Sequence, residues 1–239
     1  MIKGRFINGK QVNLSDKCLK VMGSSRDGQI YELNMVNDFY NRMIQRNPTP
    51  TFLDIGANTG SYALLPLAND KLVCYAFEPN PRAYEVLEEN IILNNLTNSV
   101  KTYNNGMWSE PKTLDLKIPL DTTDSGLSTF GGNPSRFKYN NKDGKFETHT
   151  IECKTIDSFV SAMNIQKLDA IKIDTEGAEL DILKGGEKTL REQKPLILLE
   201  YDDKNTVQFG YKRTDIIDYL KTLGYENFTM YQLSDIFAY

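Results

Sequence analysis

The sequence predicts an α/β protein, a mainly parallel seven-stranded sheet wrapped by helices on both faces. Three observations predict it. From residue 51 onward, short apolar runs alternate with stretches of helical spacing. Turn-forming residues mark the joins, as at Gly56 to Gly60 and at Gly185-Gly186. The composition is that of an ordinary globular chain, with 40% hydrophobic and 25% charged residues among 239, enough to bury a core without disulfides.

The elements follow in order. Residues 1–50 read as an extension packed on the core. It holds a short hairpin over 10–22 and a helix over 32–46, where Leu33, Val36, Phe39, Tyr40, Met43 and Ile44 share a face. That stripe reads as core packing before it reads as a cofactor cover or a dimer face. Asn47-Pro48-Thr49-Pro50 ends the helix. A strand spans 51–55. A helical stretch over 61–68 is shortened by Pro66. Residues 71–77 form the next strand; Asn80 then caps a helix with Pro81 first and 82–93 as its body. A strand over 99–103 precedes an insert at about 104–150, turn-rich with β-like segments at 113–118 and 146–153. The alternation resumes with a strand at 168–173, a helix at 178–184, a strand at 195–201, a helix at 214–223 and closing strands at 225–231 and 236–239. One domain, 51–239, thus carries the sheet.

Charge limits the partners. Lys plus Arg is 28 and Asp plus Glu is 32, a net charge of −4. Nucleic-acid binders usually show a basic excess, so no nucleic-acid partner is expected. No apolar run approaches the roughly 20 residues of a membrane span. Cys18, Cys74 and Cys153 are far apart, odd in number and without zinc spacing, which fits a reducing, cytoplasmic compartment.

Ligands of such sheets bind outside the carboxyl ends of the strands. Three constellations fall there. The turn Asp54-Ile55-Gly56-Ala57-Asn58-Thr59-Gly60 follows the first core strand. A dinucleotide would need G-x-G-x-x-G, but Gly56, Asn58 and Ser61 occupy those positions. The turn therefore suits a nucleoside without a pyrophosphate better than a nicotinamide cofactor. Glu78, in Phe77-Glu78-Pro79-Asn80, ends the second strand 22 residues after Gly56 (78 − 56), the spacing at which an acid takes ribose hydroxyls. Asp174 and Glu176, in Lys172-Ile173-Asp174-Thr175-Glu176-Gly177-Ala178-Glu179, end the strand at 168–173. They suit holding an amino group, orienting an acceptor or accepting its proton. Glu179 reads as structural.

Together with Ile197 to Tyr201 and Thr155 to Ser158, these segments resemble the FkbM-type family of S-adenosylmethionine-dependent methyltransferases over roughly residues 51–201. The resemblance implies a class I Rossmann-like fold and methyl transfer, usually to a hydroxyl of a sugar or polyketide-like acceptor. It implies that Asp54, Gly56, Asn58, Thr59 and Gly60 surround the methionine part and that Glu78, with Pro79 beside it, binds the ribose. Asn105 and Gly106 would border the adenine, and Asp174 and Glu176 would face the reacting centre.

An alcohol is a weak nucleophile until its proton is shared. Asp174 is the first candidate base; His149, the only histidine, ranks below it. Asp174, Glu200 and Asp202 would gather a divalent metal, if one is used. Phe130, Arg136, Tyr139, Tyr211 and Arg213 suit an acceptor pocket, and Trp108 suits packing near the cofactor. The expected partner is a small-molecule or glycan acceptor; a homodimer, or a place within a larger enzyme, stays open. The alternatives are an N-methyltransferase of another substrate, a nicotinamide-dependent oxidoreductase and a silent binding module.

Overall fold

The computed structural model describes residues 1–18, 30, 32–120, 125–131, 145–231 and 234–239. Its centre is a seven-stranded sheet in the order β11-β12-β10-β9-β3-β4-β5. These strands are β3 (Thr51–Ile55), β4 (Val73–Phe77), β5 (Val100–Tyr103), β9 (Ala170–Ile173), β10 (Leu196–Glu200), β11 (Phe228–Tyr231) and β12 (Asp235–Ala238). β3 pairs in parallel with both β4 and β9, and β12 runs antiparallel to both β10 and β11. The middle strands are largely apolar because helices cover both faces, with Asp54 in β3 and Lys172 in β9 as the exceptions. Phe52, Leu53, Ile55, Ile171, Ile173, Ile197 and Leu199 are all buried. The order in which strands are added reverses between β3 and β9, and there the carboxyl ends open a crevice.

The N-terminal segment belongs to the same core. β1 (Ile2–Arg5) and β2 (Gln11–Leu14) form a hairpin. It lies earlier than the 10–22 expected, and residues 19–22 fall outside the described residues. The turn is Ile7-Asn8-Gly9, with Asn8 at φ 55° and Gly9 at φ 68°. Asn-Gly is a strong hairpin signal, because both residues tolerate positive φ. The helix α1 (Leu33–Arg46) buries Met35, Val36, Phe39, Tyr40 and Met43, and the Phe39 and Phe52 rings meet edge to face at 5.9 Å. Its stripe is core packing. Asn90, in the helix α2 (Pro81–Leu93), ties this segment to the first turn: its side chain accepts from Ser15 N at 2.7 Å and donates to Thr59 O at 2.8 Å. Asn80 caps α2 as expected, accepting from Arg82 N.

Residues 61–68 form turns and a single 3-10 turn at Leu65–Leu67, not a helix; Pro66 removes the amide an α-helix would need. The insert holds a second sheet, with β6 (Gly106–Met107) parallel to β8 (Phe146–Lys154) and β8 antiparallel to β7 (Lys112–Pro119). The helix expected at 178–184 forms, and short helices at Ile156–Ala162, Glu187–Gln193 and Asp203–Thr206 are additional to the sequence reading. α3 (Ile156–Ala162) begins at a reciprocal cap between Thr155 and Ser158. α4 (Glu179–Lys184) stops at Gly185, and α5 (Glu187–Gln193) restarts at once. The Asp157 carboxylate caps α5 from α3, accepting from Lys188 N and Thr189 N at 3.0 and 2.8 Å. α6 (Asp203–Thr206) and α7 (Arg213–Thr222) complete the layer. No helix among the described residues is long and apolar enough to cross a membrane.

Candidate active site

A cavity of about 420 Å³ opens at the carboxyl ends of β3, β4 and β9. One wall is the turn after β3. Gly56 sits at φ 76°, and a Cβ there would lie 1.9 Å from the carbonyl oxygen of Asp174. The turn can adopt this path only without a side chain. Gly56→Ala should therefore cost roughly 3 kcal/mol, as strain at a positive φ adds to a backbone clash. Denaturant unfolding of the ligand-free protein measures this, and an unchanged midpoint would refute it.

The amides of this turn are already engaged. Gly56 N and Ala57 N both donate to Phe77 O at 2.9 Å, and Gly60 N donates to Ala57 O. Asn58 N donates to Glu78 Oε2 at 2.7 Å, while Asn80 N donates to Glu78 Oε1 at 2.8 Å. The turn shapes the wall, and Glu78 provides the polar face. Glu78 is 6% exposed, and burial pushes its carboxyl up to about 7 despite the two amide bonds.

Asp174, Thr175 and Glu176 form the opposite wall. The Asp174 side chain is 41% exposed at the cavity and lies 3.5 Å from the ammonium of Lys172. Glu179 is buried behind this loop and accepts from Thr175 N, Thr175 Oγ1 and Gly177 N, which confirms it as a brace. Asn205 donates to Glu176 Oε2 at 3.0 Å and to Glu200 Oε1 at 2.5 Å. Oxygens of Asp174, Glu176 and Glu200 come within 4.8 Å of one another, a donor set that suits a hard divalent cation. Asp202 is not part of it. Its carboxylate caps α6 instead, accepting from Lys204 N at 2.9 Å, and Glu176 takes the expected place, tied to Glu200 through Asn205.

The other expected residues divide. Asn58, Pro79, Asn105 and Gly106 line the cavity. Asp54, Thr59 and Gly60 do not; Asp54 is fully buried beneath it, beside Lys172. His149 lies outside the cavity on β8, 3.1 Å from Glu147. Strand alternation over the antiparallel β7–β8 pair sets its direction, which no local motif reveals. Tyr211 and Arg213 brace loops: Tyr211 Oη donates to Gly177 O at 2.5 Å, and Arg213 pairs with Asp203. Phe130 lines the cavity, with Trp108 packed edge to face behind it. Arg136 and Tyr139 lie outside the described residues.

Three charged lining residues are not among the sequence candidates: Glu32 at the start of α1, Asp235 at the start of β12, and Lys172. Burial raises Asp235 to about 6. Lys172 carried a signal, since a charge within the apolar run of β9, two residues before Asp174, shares its face.

Fold and site together define a Rossmann-like α/β protein, with a buried crevice acid after β4 and an acidic wall after β9. The chain belongs to the FkbM methyltransferase family, whose domain description, "Methyltransferase FkbM domain", matches residues 54–226. It is a class I, S-adenosylmethionine-dependent methyltransferase. Among relatives, the 2-O-methyltransferase NoeI of Sinorhizobium fredii is 26% identical over 185 residues, covering 72% of each chain. The hexuronic acid methyltransferase AglP of Haloferax volcanii is 27% identical over 132 residues, covering 55% of this chain and 48% of its own. The crystal structure of methyltransferase FkbM from Methylobacillus flagellatus matches the fold at TM-score 0.53 and 16% identity, over 80% of this chain and 44% of that one. The chain thus spans about half the length of those last two proteins.

Proposed function

We propose that the protein transfers a methyl group from S-adenosylmethionine to a hydroxyl of a small, hydroxyl-rich acceptor, a sugar or glycan. The observation that carries this reading is the pairing of Glu78 with Asp174 across one cavity. Each Glu78 oxygen already takes one amide, and each keeps a second lone pair for a ribose hydroxyl. Asn105 and Gly106 border the adenine side, and the Gly56 to Gly60 turn shapes the methionine side. Six carboxylates line the cavity against one ammonium among the described residues, which suits a cationic ligand.

S-adenosylmethionine supplies an electrophilic methyl on a positively charged sulfur. The chain's task is then to align an oxygen with it and share the departing proton. Asp174, exposed at the mouth, is the group placed to accept that proton, and Glu176 orients the acceptor beside it. Asp174, Glu176 and Glu200 are the residues that would hold a divalent ion, which would polarise acceptor hydroxyls. The relatives named 2-O-methyltransferase and hexuronic acid methyltransferase support a sugar-like acceptor.

Labelled methyl donor offered with a panel of sugars and glycosides, with and without chelator, tests this reading. Neutral and amino sugars should be methylated at least about tenfold faster than the matching uronates, because like charge at a cavity of six carboxylates costs more than about 1.4 kcal/mol. Preference for uronates would refute this charge argument and leave a sugar acceptor standing. Calorimetry should show binding of S-adenosylhomocysteine and none of NAD.

A further inference from the structure

The one ammonium among the described cavity residues sits where the mechanism above gives it no task. Lys172 is nearly buried, on the central strand β9. A charge there persists only if its surroundings fix it. Its Nζ donates to Gly56 O at 2.8 Å and lies 3.7 Å from Asp54 Oδ1 and 3.5 Å from Asp174 Oδ2, with the Tyr62 ring centroid at 5.3 Å. Asp54 is 0% exposed, and neither of its oxygens has a hydrogen bond among the described residues. Lys172 is therefore the counter-charge of Asp54 and is held from below by it. From the side it is held by the turn that shapes the cofactor wall. Its remaining contact is Asp174, and no other described cation pairs with that carboxylate.

We propose that Lys172 is a positioning residue for methyl transfer: anchored on Asp54 and the Gly56 carbonyl, it holds the Asp174 carboxylate towards the acceptor. This rests on the reading of Asp174 as the group that shares the acceptor's proton. The turn itself survives without the lysine, because Gly56 N and Ala57 N stay bonded to Phe77 O. Loss of Lys172 should therefore be felt in turnover far more than in cofactor affinity.

The test compares Lys172→Met, Asp54→Asn and the double variant. Lys172→Met strands the buried Asp54 carboxylate and should lower Tm by roughly 10 °C; the double variant removes that orphan charge and should recover most of the loss. Relative to Asp54→Asn alone, the double variant should bind S-adenosylhomocysteine within about threefold by calorimetry, yet turn over at least about 30-fold more slowly. Its crystal structure with S-adenosylhomocysteine should show Asp174 displaced or in two conformers. Unaltered turnover with Asp174 in place would overturn the proposal. So would a loss of affinity equal to the loss of turnover, which would make Lys172 a cofactor ligand. If the wild-type protein methylates nothing in the sugar panel, the acceptor reading fails; the position of Asp174 in the double-variant crystal still decides the role of Lys172.

Discussion

Asp174→Asn should lower kcat by about 10³-fold while S-adenosylhomocysteine affinity changes by less than about fivefold. Removing a positioned general base costs about 10²–10⁴ in rate. Asn fills the same volume but accepts no proton from an alcohol, so the alignment stays and the proton has nowhere to go. The side chain is 41% exposed, so it is not a keystone of the core. Glu78 lies on another wall and the Gly56 turn meets only the Asp174 backbone, so on the proposed reading cofactor affinity should not depend on this side chain. Rapid single-turnover kinetics on the acceptor found in the panel, beside calorimetry, separates the two quantities. Equal losses in both would move Asp174 from chemistry to cofactor binding.

Glu78→Ala should weaken S-adenosylhomocysteine binding by about 10³-fold, since two charge-assisted hydrogen bonds are worth roughly 1.5–3 kcal/mol each. The same residue predicts an uncommon pH dependence. Its carboxyl is raised to about 7 by burial, against an ordinary value of 4.5. The folded protein thus prefers the protonated acid. The stability this confers is full below pH 4.5 and is lost as pH rises through 7. From pH 5 to 8 the ligand-free protein should lose about 2.5 kcal/mol through this residue. Asp54 and Asp235, each raised to about 6 by burial, tilt the curve in the same direction. Ribose hydroxyls favour the charged form, so affinity should fall about tenfold per pH unit below 7. Glu78→Gln should flatten both profiles. A wild-type protein whose stability climbs from pH 5 to 8 would contradict the raised, burial-dominated state of this acid.

The sheet was legible because buried parallel strands and their helices leave apolar runs of fixed length between turn residues. Thr51 to Ile55 and Pro195 to Tyr201 are such runs, and each lies within a residue or so of the strand formed. Asn80-Pro81 and Gly224 marked helix ends for local reasons: a side-chain cap, a fixed φ and a positive φ of 84°. Pro66 announced its own exception. The Asn8-Gly9 hairpin turn and the Thr155–Ser158 cap were also written locally, and the mixed patterns around them hid both.

What the chain alone determined is therefore the order of elements, the Gly56 turn, and the carboxylates Glu78, Asp174 and Glu176 at strand ends, since backbone sterics and period-two burial act within a few residues. The tertiary structure alone decided which distant groups share the cavity. Glu32 and Asp235 enter it, His149 and Asp202 leave it, and Lys172 binds Asp54, Gly56 and Asp174 together. These outcomes depend on strand order and on contacts across up to 118 residues (172 − 54), and no local spacing encodes them.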